Sequence, residues 1–428
     1  MPPAELDQEG KGGAPVAGGD GIDALPDGVL EHILGFLPAE EAVRTCVLAR
    51  RWRHRWKFAM GLHVVAADGE FLGSVNKLRE FMDHLLRARG GSALDTCDLT
   101  FGGFNCSIWP RDAFEFHDDV QRLVSLWFRH ALMYRPRVLR LRIHADGTRT
   151  GAPWLELDSQ PLVSQHLTRL ELAGVLVQSS FLDLSACPAL EHLVLECCAL
   201  WDLDKISSKS LKYLSITETS FSYESRVRID APNLVSLHLD ETWGEGRIPL
   251  LESMPSLVQA FVRITDGGDY CKLWYANYWD CDCKTCDDSN NCVLLKGLTE
   301  ARSLTLFSKP DKFIFKRDLR FCPTFSKLRT LLLNDYWCVP NDFCELACIL
   351  ECSPILENLT LELSSKSPEH MVEMKGSVRP MKGSAAISEH LKIVKIKCQM
   401  VDERVQKLAL FLCAFNIRYS HGEVEVLE

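Results

Sequence analysis

Apolar and polar positions follow two different rhythms along this chain, and the change of rhythm divides it. From Leu25 to Trp56 the rhythm is helical. Val29, Leu30, Ile33, Leu34 and Leu37 fall at i, i+1, i+4, i+5 and i+8, one wide apolar stripe on a helix opened by Pro26 and Asp27. Pro38 sits where a first-turn proline is tolerated, and Glu40 and Glu41 suit the positive end of a helix dipole. A second helix is therefore predicted, offering Val43, Val47 and Leu48, and a short third segment adds Trp52 and Trp56. A unit this small cannot bury all of these side chains internally, so part of its apolar surface is left for a partner.

Further along, the rhythm becomes L-x-x-L-x-L. Leu167-Leu170-Leu172, Leu190-Leu193-Leu195, Leu211-Leu214-Ile216, Leu234-Leu237-Leu239 and a degenerate Leu257-Ala260-Val262 begin 23, 21, 23 and 23 residues apart. Looser copies stand at Leu94-Cys97-Leu99, Val138-Leu141-Ile143, Ala301-Leu304-Leu306, Leu328-Leu331-Leu333, Leu356-Leu359-Leu361 and Leu391-Val394-Ile396. This is the leucine-rich-repeat period, one short strand per coil with a loop or helix on the outer side. Pro188, Pro232 and Pro354 precede strands, which fits a helix or loop ending just before each one. In an L-x-L strand the leucines point into the solenoid and the residues between and beside them point the other way. Arg169 and Glu171, His192 and Glu196, Tyr213 and Ser215, His238 and Asp240, and Phe261 and Arg263 are thus predicted to share one concave face. Its mixed charge and aromatics suit target binding. The alternative is a solvated sheet face, with a target held by loops or by the C-terminal cap.

Two amphipathic helices are predicted between these regions. One runs near 75–86, with Val75, Leu78, Phe81, Met82, Leu85 and Leu86 on one face; the other runs near 114–133, with Val120, Leu123, Val124, Trp127 and Ala131. Both read as core-facing helices of early, irregular coils. The polar stretch 364–385, with Gly376, Pro380 and Gly383, reads as a linker loop, and a strand followed by a helix comes after it.

The N-terminal segment resembles the F-box of plant F-box proteins with leucine-rich repeats. The elements that carry the resemblance are Leu25-Pro26-Asp27, Val29-Leu30, Ile33-Leu34, Phe36-Leu37-Pro38, Val43-Arg44-Thr45, Val47-Leu48 and Arg50-Arg51-Trp52-Arg53. The resemblance implies docking on the small linker protein of SCF ubiquitin ligases, which binds a cullin. It assigns that contact to Leu25, Pro26, Val29, Leu30, Ile33, Leu34, Leu37, Pro38, Val43, Val47, Leu48 and Trp52. The end of the chain is similar to the FBD region that closes many such proteins: Leu391, Val394 and Ile396 match its strand, and Val405, Leu408, Phe411 and Leu412 its helix. Cys398-Gln399-Met400 replace the glycines usual after that strand. The segment is read as a solenoid cap.

The expected fold is α/β: a three-helix F-box, then a leucine-rich-repeat solenoid whose curved parallel sheet carries outer helices or loops. The expected bounds are a leader at 1–20, F-box 21–60, repeats 61–363 with an insertion at 265–297, linker 364–385 and cap 386–428.

Composition narrows the function. The 428 residues carry a net charge of −10, which argues against general nucleic-acid binding. No run of eighteen apolar residues suggests a membrane span. The first residues have no charged-then-apolar signal layout, and Pro2 removes a myristoylation option, so a cytoplasmic or nuclear protein is expected. The basic run Arg50, Arg51, Arg53, Arg55 and Lys57 reads either as solvated helix ends or as an import signal. Eighteen cysteines, many among leucines, read as reduced, buried thiols. Cys281, Cys283, Cys286 and Cys292, preceded by Cys271, could hold zinc, but their spacing lacks the paired C-x₂-C form and a variable loop is the favoured reading. No phosphate-binding loop, dinucleotide turn, zinc-protease helix or nucleophile elbow is present, so no cofactor and no catalysis are expected. The expected function is that of a substrate receptor of an SCF-type ligase. The alternative is a repeat scaffold that works without a cullin.

Overall fold

The computed structural model describes residues 25–66, 75–102, 113–144, 154–157, 159–178, 180–222, 225–241, 246–265, 292–309, 314–319, 321–338, 343–363, 390–414 and 421–426. The leader, the 364–385 linker and residues 266–291 of the insertion, with Cys271, Cys281, Cys283 and Cys286, lie outside the described residues.

Helix α1 (Asp27–Leu34) starts after Pro26, and α2 (Ala39–Arg44) starts after Pro38. Both prolines take extended ψ angles that suit a helix entry. Short 3₁₀ segments follow at Thr45–Val47 and Trp52–Phe58. Leu30, Leu34, Ala42, Trp52 and Ala59 make the core of this unit, with Leu25, Leu37, Ala49 and Trp56 packed partly against it. Two members of the basic run are used structurally. Arg51 donates to Asp27 Oδ1 and, at 2.6 Å, to the Leu25 carbonyl; Arg55 reaches Asp27 at 2.5 Å and Glu31 at 3.2 Å. They tie the third segment back onto the first turns of α1.

Thirteen strands then form one open, wholly parallel sheet in chain order: Gly61–Ala66, Thr96–Gly102, Val138–His144, Arg169–Ala173, His192–Glu196, Tyr213–Thr217, Ser236–Glu241, Gln259–Ile264, Ser303–Ser308, Thr330–Asn334, Asn358–Leu363, Ile393–Cys398 and His421–Val426. The α/β solenoid expected from the repeat period is therefore present. Register is held without a slip through the repeats, so Leu139, Leu170, Leu193, Leu214, Leu237, Ala260, Leu304, Leu331, Leu359 and Val394 stand side by side. These ten side chains are buried and belong to one continuous core. Because the side-chain period of a strand is two, this ladder fixes which residues face out at every coil.

The outer side changes along the array. Helices α3 (Val75–Arg89) and α4 (Ala113–Met133) cover the first coils, burying Leu78, Met82, Leu85 and Leu86, and Val124, Trp127, Phe128 and Ala131. Helices α5 (Ile314–Leu319), α6 (Cys344–Glu351) and α7 (Glu403–Ala414) cover the last ones. Between them the 21- to 23-residue coils carry no α-helix among the described residues. The chain instead stacks a second set of very short parallel strands: Leu155–Glu156, Val175–Leu176, Ala199–Leu200 and Ser220–Phe221, then Lys205–Ser207, Arg228–Asp230 and Leu250–Leu251. One strand per coil was expected; the added strands pair backbone groups that a coil too short for a helix would otherwise leave unmatched. At the turn between inner and outer strands, Gly174 takes φ +70°, and Cys197 and Glu218 take the same left-handed conformation one and two coils later.

The helical unit and the sheet are joined closely. Pro38 bridges to His63 on the first strand, and a Cβ on Gly61 would collide with the Gly35 carbonyl. Arg89, buried at the end of α3, donates to the carbonyls of Trp56 (3.2 Å) and Ala59 (2.7 Å). At the C-terminal end of the insertion, the buried Asp318 carboxylate accepts from the backbone N–H of Val293, Leu294 and Leu295 at 2.9, 2.7 and 2.9 Å.

Candidate functional site

Two surfaces hold the residues singled out in the sequence. The first is on the N-terminal helical unit. Val29 (41% exposed), Ile33 (40%), Val47 (84%) and Leu48 (70%) face solvent, as does Phe36 (71%), which sequence reasoning quoted but did not assign to contact. Pro26 and Pro38 are also exposed, and Leu25, Leu37 and Val43 are half-buried. Leu30, Leu34 and Trp52, expected to share that contact, lie in the unit's own core. The physical reason is that a helix stripe five residues wide wraps beyond one face. Its centre fills the core, and its flank, at Val29 and Ile33, stays outside.

The second surface is the outward side of the thirteen-stranded sheet. Register places Arg169, His192 and Tyr213 in one row, Glu171, Ser215, His238 and Phe261 in the next, and Glu196, Asp240 and Arg263 in a third. At the N-terminal end the Glu171 carboxylate receives three guanidinium groups, Arg169 at 2.6 Å, Arg142 at 2.7 Å and Arg140 at 3.1 Å. Arg142 also reaches Asp98 at 3.3 Å. Burial raises the Glu171 pKa, but hydrogen bonds from Arg169 and Arg140 outweigh it and hold the carboxyl below its ordinary range.

Toward the middle the surface becomes aromatic. His192 stacks on Tyr213 with centroids 4.3 Å apart, and His238 stacks on Phe261 at 4.5 Å. Phe307 meets Phe261 edge-on at 5.8 Å, and the Arg263 guanidinium stands 5.7 Å from the Phe261 ring while pairing with Asp240 through both carboxylate oxygens. Burial lowers the pKa of both histidines; Arg169 adds to the effect at His192, and Asp240 opposes it at His238. Ser215 is half-buried and Glu196 exposed in their rows.

Asp98, Arg140, Arg142 and Phe307 belong to this face and were not singled out in the sequence. The signal was there: Arg140 and Arg142 flank Leu141, and Phe307 follows Leu306, the same inside-outside rule applied to the looser copies. Cys292 is a different matter. It is buried, and its thiol donates to the Asp318 carbonyl at 3.9 Å rather than standing in a metal-ready loop. Burial and the neighbouring Asp318 push that thiol up.

Comparison with known proteins agrees with this fold. Residues 131–253 match the family described as FBD-associated F-box protein At5g56370, LRR repeats, and residues 22–58 match the F-box domain. The chain is similar to the MEIOTIC F-BOX protein MOF of Oryza sativa subsp. japonica, 30% identical over 80% of this chain and 71% of the relative. It is also similar to the F-box/LRR-repeat protein At4g14103 of Arabidopsis thaliana, 28% identical over 57% of this chain and 68% of that protein. A third relative, the Arabidopsis F-box/FBD/LRR-repeat protein At5g22660, is 24% identical over 85% and 81%. Against two further Arabidopsis relatives the chain spans only about half of their length, 54% and 52%.

Proposed function

This chain belongs to the F-box proteins with leucine-rich repeats, and from that premise we propose that it is a non-catalytic substrate receptor of an SCF-type ubiquitin ligase. The observation that carries the reading is the set Val29, Ile33, Phe36, Val47 and Leu48, five large apolar side chains between 40% and 84% exposed on one small unit. Fully burying one such side chain stabilises a complex by roughly 1.5–3 kcal/mol, so partial burial of several can offset the entropy of association. The linker protein of the ligase is the proposed occupant, and a cullin follows through it.

The sheet face supplies the other half of the reading. Of its stacked aromatics, His192, His238 and Phe261 are half-buried and Tyr213 is exposed, and paired charges flank them, the composition of a protein-binding hot spot. A protein target held there would be kept near the conjugating enzyme at high effective concentration, so no bond-making group is asked of this chain. The test is affinity purification under proteasome inhibition, comparing the intact chain with one lacking residues 21–60. Linker protein, cullin and a ubiquitinated target should all disappear in the truncated chain. Linker without cullin would instead support the scaffold alternative.

A further inference from the structure

Far from both surfaces, three cysteines converge on the outer side of the late coils. Cys322 lies in the segment after α5 that leads into strand Thr330–Asn334, Cys348 is within α6, and Cys352 caps that helix. Their sulfur atoms all lie within 4.8 Å of one another, and each residue is half-buried. The thiols hydrogen-bond one another. Their carbonyl contacts are long: Cys348 to Leu319 at 3.7 Å, Cys352 to Cys322 at 3.9 Å and Cys322 to Pro323 at 3.7 Å. Cysteines acting only as small apolar side chains, such as Cys97 and Cys187, are buried singly among leucines.

We propose that Cys322, Cys348 and Cys352 form a binding site for a thiophilic d¹⁰ cation, Zn²⁺ or Cu(I), that staples two consecutive coils. In a tetrahedral zinc–thiolate site, metal–sulfur bonds of about 2.3 Å put neighbouring sulfurs about 3.8 Å apart, so side-chain rotation alone closes the site. The cluster offers three sulfur ligands, so zinc would take a fourth ligand from solvent, whereas a three-coordinate Cu(I) needs none. Binding replaces three S–H bonds by three metal–sulfur bonds and releases the protons to solvent. The site owes nothing to the four-cysteine pattern of the insertion and is independent of the docking reading.

The test uses the full chain, purified reduced and stripped with a chelator. It is titrated with Zn²⁺ against a chromophoric competitor and, anaerobically, with Cu(I) against a Cu(I)-specific one; the stronger arm identifies the ion. Co²⁺ should give intense sulfur-to-metal charge-transfer bands. One equivalent should bind, and Cys322→Ser with Cys352→Ser should weaken it at least ~100-fold, since loss of even an outer-shell partner costs 10–100-fold. Cys281→Ser with Cys283→Ser and Cys286→Ser should leave it unchanged. Cys352→Ala alone, at the helix end, serves if the double variant melts before wild type in the metal-free state. Absence of bound metal, binding indifferent to Cys322 and Cys352, or loss in the insertion variant would each overturn the site.

Discussion

The imidazole of His192 lies flat on the phenol of Tyr213, ring planes 4° from parallel, because the two residues are direct partners on adjacent parallel strands. His238 and Phe261 repeat the arrangement two strands further on, with planes 13° apart. Stacking of this kind adds about 0.5–1.5 kcal/mol beyond area burial. It holds four rings in place before any partner arrives.

Tyr213→Ala combined with Phe261→Ala should weaken target capture, each truncation by about 2 kcal/mol where the ring is a hot spot. Linker-protein binding should be unchanged, because the F-box joins the first strand, five and seven strands away from these rings. Titration calorimetry with a captured target and with the linker protein reads both. Full target affinity in the double variant would remove this face from the proposal.

The depressed histidines give a pH dependence of defined sign. Between its lowered folded value and the ordinary 6.5, each histidine binds more protons unfolded than folded, so stability rises with pH across that window. The contribution is complete above 6.5 and is lost as pH falls through the folded value. Glu191 and Lys212 beside His192, and Asp240 and Arg263 beside His238, shape the two titrations. NMR titration should place both imidazoles below 6.5 in wild type. In Tyr213→Ala, which uncovers one ring, His192 should move upward and His238 should not.

Glu171→Gln tests the charge cluster. It leaves Arg140, Arg142 and Arg169 facing one another with only Asp98 still paired, and the arginines are partly solvated. A loss of about 1–3 kcal/mol is expected, below the figure for a fully buried pair. Denaturant melts at neutral pH measure it. Because the Glu171 pKa is lowered, the wild-type advantage should be present above the ordinary 4.5 and vanish as pH falls through the folded value.

Docking and folding separate on α1. Val29→Ala with Ile33→Ala trims the exposed flank and should weaken linker-protein binding by more than ~10-fold at little cost in stability, as exposed positions away from the core lose little. Leu30→Ala empties a core position and should destabilise the F-box by about 2–5 kcal/mol. A Val29 and Ile33 variant that binds the linker normally would move the docking surface to Phe36, Val47 and Leu48.

The repeat period revealed most of the sheet because leucine spacing is what the fold physically requires. From Leu170 to Leu361 every triplet became a strand in register. What escaped was material without that spacing. The outer strands are two or three residues long and held by backbone pairing, which no side-chain pattern announces. The first strand, Leu62-x-Val64-x-Ala66, and the last, at His421–Val426, lack the leucine triplet although both alternate. The three-cysteine cluster was illegible because Cys322 and Cys348 are brought together by adjacent coils, whereas the four-cysteine run drew attention through sequence proximity alone. On α1 periodicity identified the stripe but could not divide it between core and surface.

The close joint at Pro38, Gly61 and Arg89 turns the sheet into a ruler. Strands are stacked about 4.8 Å apart, so the Phe261 strand, seven steps from the first, stands about 34 Å from the F-box measured along the sheet. Because those contacts fix the origin to the scale, a partner's distance from whatever grips α1 is set by which coil it touches. Gaining or losing one repeat would shift that distance by a single graduation and leave the chemistry of contact untouched.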